Sequence, residues 1–376
     1  MLRRLILSVA ALFLFAAAFQ GFQGDRVVAV GDVHGNLDAL TAILQKSGLI
    51  DGTNRWIGGR ATLVQVGDLV DRGPKSRAVL DLLMALQKEA SRQRGSVRIN
   101  LGNHEVMNIM GDLRYVVAAD YEAFVHNRSE QRRTTAFRDY SRLQAKKGEA
   151  ADEAGWMKAH PLGFVEYREA FGPQGKYGKW LRTTPAVNKV GDSVFLHGGL
   201  NPALNVKSID QINSAVSSEI FVFDKITRYM VDNKLALPFF TLDEFISAAD
   251  AEVKRSQSKP PVEQTEEDRA RVQILQGLLQ SGSWLSIHDD GPLWFRGYAR
   301  WSDEEEAGRL APLAQLLGVK RFVVGHTIQA DGNVRTRFGG MVFLIDTGML
   351  RGTVSALEIS NGRVRAIYMD RQTDLN

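Results

Sequence analysis

Six side chains able to bind a divalent cation, Asp32, His34, Asp68, Asn103, His197 and His326, each stand next to a glycine in this 376-residue chain. Each lies at the end of a short run of β-formers: Val27 to Val30, Thr62 to Val66, Val97 to Leu101, Val194 to Leu196 and Phe322 to Val324. Apolar runs of that length, closed by turn residues, read as buried strands, and ligands at strand ends are held by a rigid sheet. Two divalent cations about 3.5–4 Å apart need a ligand that they share, and a carboxylate with two oxygens is the usual bridge. Asp68 is the candidate bridge. Asp32 and His34, two residues apart on an extended loop, can reach one ion, and Asn103, His197 and His326 can cap the other. Imidazole mixed with oxygen ligands points away from calcium and toward manganese, iron or zinc. Any one of the three histidines taken alone could be a core residue; three of the seven in the chain sharing this context argue for a site. Two carboxylates against two dications leave a net positive centre, which attracts a phosphate dianion.

Phosphoryl transfer needs a nucleophile, charge neutralisation on the non-bridging oxygens and a proton for the leaving group. Metal-bound water can supply the first. His104, next to Asn103, is the natural general acid, and Asp71, three residues after Asp68, is placed to hold its ring in the productive tautomer. Arg72 can fork onto two phosphate oxygens; the other reading of Asp71 and Arg72 is a local salt bridge that only shapes the loop.

The elements that must position these residues follow. Between residues 25 and 110, strands alternate with runs of helical spacing at Leu37 to Ser47 and Ser76 to Ala90, which is βαβ grammar. Residues 115–182 are rich in Arg, Lys, Glu and aromatics (Tyr121, Phe124, Tyr140, Trp156, Phe164, Tyr167, Phe171) and read as a mostly helical insertion. The polar stretch 250–271, with Ser256 to Pro261 breaking any helix, reads as an exposed linker loop. Strands return after residue 318. The expected organisation is one domain over residues 25–370, and 44% hydrophobic content is enough for a large core. A formal charge of +4 with acids and bases mixed along the chain gives no indication of nucleic-acid binding.

The first twenty residues are a separate matter. A basic start (Arg3, Arg4), an apolar stretch from Leu5 to Phe19 and small residues at Ala16 to Ala18 spell a signal peptide, and with it a periplasmic or secreted protein without stable membrane association after cleavage. The alternative is an N-terminal membrane anchor, for which fifteen or so apolar residues are short against a hydrocarbon core about 30 Å thick. The absence of cysteine excludes disulfides and a lipobox attachment.

Taken in order, Gly-Asp-x-His-Gly, Gly-Asp-x-Val-Asp-Arg-Gly, Gly-Asn-His-Glu, His-Gly-Gly and Gly-His-Thr resemble the motif set of the calcineurin-like metallophosphoesterases, in their phosphoprotein phosphatase (PPP) branch. The runs from Leu101 to Asn108, Gly111 to Tyr115 and Tyr177 to Arg182 resemble the Shewanella-like protein phosphatases. The resemblance covers most of the chain after residue 25. It implies an α/β fold, a β-sandwich flanked by helices, with a dinuclear centre on the ligands named above and attack by a metal-bridging hydroxide without a covalent enzyme intermediate. The substrate implied is a phosphorylated protein or a small phosphoester. Leu101 stands where the eukaryotic Ser/Thr branch has Arg, the segment from His104 to His197 is longer, and that branch's cysteine-containing loop has no counterpart, so tyrosine and serine/threonine esters both stay open. A dinucleoside polyphosphate pyrophosphohydrolase shares these motifs and is the nearest alternative; an inactive metal-binding scaffold is the alternative of another class.

Three weaker candidates remain. Arg296, in Pro292 to Arg296, is either a second phosphate-binding arginine or an ordinary surface residue. Asp112 and Arg114 either close the substrate pocket or form an ion pair. Asp346 reads as a turn residue or a support behind a ligand. The insertion is expected to form a wall of the cleft through residues such as Arg114, Tyr115 and Tyr121, or else to cap the sheet.

Overall fold

The structure is a computed structural model describing residues 26–260 and 262–375; the leader expected over residues 1–20 lies outside them. The first half builds a parallel unit, β1 (Val27–Val30), α1 (Leu37–Lys46), β2 (Thr62–Gln65), α2 (Ser76–Arg92) and β3 (Ser96–Ile99). β1 pairs with β2, and β2 with β3, in parallel, Val27 opposite Thr62 and Thr62 opposite Ser96. After α3 (Asn103–Met110) the inserted segment folds as α4 (Ala118–Glu122), α5 (Ser129–Lys146), α6 (Glu153–Ala159), α7 (Phe164–Phe171) and α8 (Lys176–Arg182). A hairpin of β4 (Val187–Val190) and β5 (Ser193–Leu196) precedes a second helical stretch of α9 (Ile209–Asp232), α10 (Leu242–Gln257), α11 (Glu266–Leu279), α12 (Gly297–Arg300) and α13 (Asp303–Leu317). The chain closes with β6 (Arg321–Val324), β7 (Arg335–Arg337), β8 (Val342–Leu344), β9 (Ser355–Ser360), β10 (Arg363–Tyr368) and β11 (Gln372–Asp374).

These strands form two mixed sheets, one ordered β11-β10-β9-β1-β2-β3 and the other β4-β5-β6-β8-β7. Side chains alternate across a strand, and the alternation sorts the core into two layers. Val27 and Ala29 join Val64, Phe195, Val323 and Phe343 between the sheets, while Val28 and Val30 face the helices. Both faces of β1 are therefore buried, which is why its sequence is an unbroken apolar run rather than an alternating one. The result is the expected β-sandwich flanked by helices.

The polar stretch 250–271 is not an open loop. Most of it belongs to α10 and α11, which bury Phe245, Ala248, Ala249 and Val253 from one helix and Leu275 and Leu278 from the other. Thr241 and Thr265 each close a capping box, with Glu244 and Asp268, and the break is confined to residues 258–265. Glu252 binds Arg255 and Arg271, which turns the charge of the segment into a tie between the two helices. Among the described residues no helix is long and apolar enough to cross a membrane.

Candidate active site and metal centre

The turns that follow β1, β2, β3, β5, β6 and β8 meet at one edge of the sandwich, where parallel strands leave their carboxyl ends open. Asp32 and His34 follow β1, Asp68, Asp71 and Arg72 follow β2, and Asn103 and His104 open α3 after β3. His197 and His326 come from the other sheet. The turns are tied to one another by backbone bonds, Val33 and His34 N–H to the Asp68 carbonyl and Gly325 N–H to that of His197. His34, Asp68, Asp71, Arg72 and His326 all adopt positive φ, between 46° and 71°. Such conformations cost on the order of 1–3 kcal/mol each and persist only where the surroundings over-determine them.

Glu105 supplies much of that determination. Fully buried, its carboxylate accepts hydrogen bonds from the N–H groups of Asp68 (2.8 Å), Leu69 (2.8 Å) and Gly102 (2.7 Å), so it sets the second motif against the third. Gly102 leaves room for this: a Cβ there would run into the Asp68 carboxylate and backbone.

Asp68 lies at the centre. One oxygen is 3.5 Å from His34 Nε2, and the other is 3.2 Å from His197 Nε2. Around the second oxygen, His197 Nε2 is 2.9 Å from Asn103 Oδ1 and 3.1 Å from His326 Nδ1. Asp32 Oδ2 lies 3.9 Å from His34 Nε2, while its Oδ1 accepts the His326 N–H. The three histidines share one arrangement. His34 Nδ1 meets the Val70 carbonyl, His197 Nδ1 that of Val66 and His326 Nε2 that of Trp294, each at 3.0 Å. A carbonyl can only accept, so each of these outer nitrogens carries the proton and each inner nitrogen turns a lone pair toward the carboxylates. Lone pairs at such separations repel unless a cation lies among them, and spacings near 3 Å suit donors gathered at metal bonds of about 2.0–2.2 Å. The residues present fit divalent metal ions, in two groups that share Asp68.

The electrostatics agree. Burial raises the Asp32 carboxyl well above its ordinary range, and neighbouring Asp346 raises it further. Burial also pushes Asp68 upward, but His197, His104 and His34 outweigh it and hold that carboxyl well below. Burial depresses His34 to about 4, which leaves its inner nitrogen unprotonated. Burial and neighbouring His197 depress His326 as well. For His197, Asp68 and Asp32 overcome burial and lift the ring to about 9, an affinity for positive charge that a divalent cation would satisfy in place of the proton.

His104 differs in its partner. Its Nδ1 donates to Asp71 Oδ2 at 2.6 Å, and its Nε2, 3.8 Å from Asp68, is buried with no hydrogen-bond partner. Burial lowers its pKa, but Asp68 and Asp71 together raise it above the ordinary histidine value. A carboxylate behind the ring favours the imidazolium, where a carbonyl would not, so His104 can hold a proton that His34 and His326 cannot. Arg72 makes no ion pair with Asp71. It donates to His34 Nε2 (2.7 Å) and lies over the Tyr115 ring, 5.2 Å from its centroid.

A cleft of about 420 Å³ opens over the centre, lined by Asp32, His34, Asp68, Arg72, Arg296, His326, Asp346 and the turn from Gly348 to Arg351. Arg296 belongs here. Its guanidinium, anchored on the His326 carbonyl and the Thr327 hydroxyl, faces the cleft without a carboxylate partner. Asp112 and Arg114 do not belong. They form a two-bond ion pair with each other, 2.8 and 2.6 Å, at the surface and outside the cleft lining, because two residues of turn bring their charges together before either can reach the metals. The insertion is not a wall of the cleft: none of residues 115–182 lines it. Only Tyr115, at its root, reaches the centre, 5.1 Å from the His104 ring. Tyr121 packs instead against Phe164 and Tyr167 behind the site.

Two residues mean more here than their sequence context suggested. Asp346 lines the cleft, is 2% exposed, accepts the Gly348 N–H with one oxygen and keeps the other buried beside Asp32. Glu105 stands within the Gly-Asn-His-Glu motif, yet nothing in its type distinguishes a loop clamp from a ligand. Arg351, exposed on the cleft rim, is a further cation there.

Comparison with known proteins agrees with this geometry. The family model for calcineurin-like phosphoesterases matches residues 25–330. The chain is 26% identical over 354 residues to Shewanella-like protein phosphatase 1 of Plasmodium berghei, covering 92% of this chain and 74% of that one. It is 34% identical over 208 residues to Shewanella-like protein phosphatase 2 of Arabidopsis thaliana, covering 51% of each. The solved structure of a cold-active protein tyrosine phosphatase from a psychrophilic Shewanella species superposes with a TM-score of 0.60 at 24% identity, over 94% of this chain and 80% of that one, a likeness of fold. The chain therefore belongs to the calcineurin-like phosphoesterase family, in its phosphoprotein phosphatase branch, and is a metal-dependent phosphoester hydrolase.

Proposed function

We propose that the protein is a dinuclear phosphatase of phosphoproteins, acting on phosphotyrosine or phosphoserine/threonine monoesters. The observation that carries the reading is the position of Asp68, whose two oxygens face two separate sets of imidazole donors. Asp32, His34 and Asp68 would hold one ion and Asp68, Asn103, His197 and His326 the other, with manganese or an iron/zinc pair suited to the mixed nitrogen and oxygen donors. Bound there, divalent cations supply Lewis acidity toward the phosphoryl oxygens and activate water. The protein's own part is to orient and to move a proton. Arg72 and Arg296 flank the cleft and neutralise the non-bridging oxygens of the ester. His104 Nε2, backed by Asp71, gives its proton to the departing serine, threonine or tyrosine oxygen. The chain has no cysteine, so a thiolate phosphoenzyme plays no part even on phosphotyrosine. The leader expected over residues 1–20 adds export to the periplasm or medium, which N-terminal sequencing of the mature protein checks.

The test is metal analysis of the purified protein together with a substrate panel. Two ions per chain and turnover of phosphopeptides above dinucleoside polyphosphates are expected. A single ion, or a preference for the dinucleoside polyphosphate, would overturn the reading.

A further inference from the structure

Behind His104 the structure continues in a buried chain of hydrogen bonds that the reaction as described does not use. Asp71 is completely buried and has no Lys or Arg ion pair. His104 Nδ1 serves its Oδ2, and Asn108 Nδ2 serves its Oδ1 at 2.9 Å. Asn108 is one turn of α3 beyond His104 and also donates to the His104 carbonyl, 2.9 Å. Its own side-chain oxygen accepts the hydroxyl of Tyr167 at 2.5 Å. Tyr167 and its neighbour Arg168 both come from α7 of the insertion, and Arg168 Nη1 donates to the Asn108 backbone carbonyl at 3.0 Å. Thus α7 grips Asn108 at both its side chain and its main chain.

The direction of this chain is fixed by chemistry. An amide can turn either its oxygen or its NH₂ to a neighbour, and a carboxylate tolerates only the NH₂. The Tyr167 phenol, fully buried and held protonated by that burial, can donate to the amide oxygen, which leaves the NH₂ for Asp71. Asp71 and the His104 carbonyl, which can only accept, select the same orientation, and the phenol completes it by satisfying the buried amide oxygen. Buried networks of this kind rigidify when every member is satisfied and lose their value when one is not.

We propose that Asn108 and Tyr167 are positioning residues for proton donation: they lock the Asp71 carboxylate so that His104 keeps its proton-bearing Nδ1 on Asp71 and presents Nε2 to the leaving group. The inference rests on the reading of His104 as the proton donor. It gives the helical insertion a role, that of a brace applied from behind the dyad. The aromatic packing of Tyr167 with Phe171 (centroids 4.6 Å), Tyr121 and Phe124 (both 5.3 Å) makes that brace stiff.

Tyr167→Phe removes one hydroxyl and keeps the ring packing. For an alkyl phosphate, whose leaving group needs the proton, kcat should fall about 10-fold in Tyr167→Phe and about 10²-fold in Asn108→Ala, within the range of general acid catalysis. KM and metal content should stay near wild type, and p-nitrophenyl phosphate should lose less than about 3-fold, since its leaving group departs unaided. A second readout is independent of activity: the strongly hydrogen-bonded His104 Nδ1 proton, observed by NMR with the His104→Asn variant as its assignment, should shift upfield in Tyr167→Phe. Val165→Ala, a buried change on the same helix outside the ring stack and the chain of bonds, controls for packing and should lower Tm without selectivity between esters. Equal losses on both esters in Tyr167→Phe, an unmoved Nδ1 proton, or the same selective loss in Val165→Ala would each overturn the proposal. If His104→Asn itself showed no dependence on the leaving group, the assignment of His104 would fail first, and the Nδ1 resonance would still report on the relay.

Discussion

At the scale of single residues, the same side-chain type performs different tasks according to what stands behind it. His34, His197 and His326 are backed by carbonyls and offer lone pairs; His104 is backed by Asp71 and holds a proton. This difference gives two separable outcomes. Asp68→Asn removes the carboxylate that both donor groups share, so it should empty the centre and abolish turnover, whereas Asn103→Ala removes one neutral donor and should retain more metal. Metal analysis of the two variants decides it; equal and near-normal occupancy would remove Asp68 from the bridging position. His104→Asn should instead retain the metals and lose about 10²–10⁴-fold in rate, with the loss shrinking as the leaving group improves. Equal loss on p-nitrophenyl and alkyl phosphates would show that His104 is not the donor.

At the scale of elements, Glu105 ties the strained loop after β2 to the turn after β3, and the helices behind them carry further buried charge. Asp120 of α4 is 1% exposed, near Ser76, with neither carboxylate oxygen in a hydrogen bond of normal geometry. Burial first, then Asp71, pushes its pKa up to about 6 despite the help of Ser76 and of the Val117 and Ser76 backbone. In the unfolded chain an aspartate titrates near 3.9. A carboxyl whose pKa is raised on folding binds more protons in the folded state, so stability falls as pH rises from about 4 through about 6 and stays lowered above that, by an amount on the order of 2–3 kcal/mol. Asp120→Asn, which cannot ionise, should therefore raise Tm relative to wild type at pH 7.5 and lose that advantage at pH 4.5. Thermal denaturation at the two pH values checks the sign; a constant offset would mean that folding does not shift the Asp120 pKa.

At the scale of the whole molecule, the candidate ligands come from both sheets. Asp32, His34, Asp68 and Asn103 ride on the sheet containing β1 to β3, and His197 and His326 on the other. Metal ions bound by them would hold the two sheets together, and a ligand that binds only the folded state stabilises it, by about 2.7 kcal/mol when free metal stands at 100 times its Kd. Chelation should therefore lower Tm, and readdition of manganese should restore it in a concentration-dependent way. An unchanged Tm after verified metal loss would mean that metal binding is not coupled to folding of the seam.

How much of this could be read from the chain alone follows from the range of the interactions involved. Strand ends are local events: a run such as Val27 to Val30 followed by Gly31 declares itself within ten residues, so the six candidate ligands and His104 could be named, and the helices at 37–46 and 76–92 were legible. Amphipathic spacing within 209–232 was equally local, with Ile212, Val216, Ile220 and Phe223 all buried, and marks a long helix that polar neighbours partly mask. The stretch 250–271 misled because charge density resembles a linker until Glu252 is seen bound to Arg271 nineteen residues away. Asp112 and Arg114 carried the right charges for a cleft, and only the turn geometry shows that they satisfy each other. The roles of Glu105, Asn108 and Tyr167 were invisible for the same reason: an orienting side chain is defined by which buried donor or acceptor it faces, and for Tyr167 that partner is 59 residues distant. Sequence determined which atoms could do the chemistry, because ligand chemistry belongs to residue types and their turns. Tertiary structure decided which of those atoms are kept neutral, kept protonated or kept in line, because burial and hydrogen-bond direction exist only once distant segments have met.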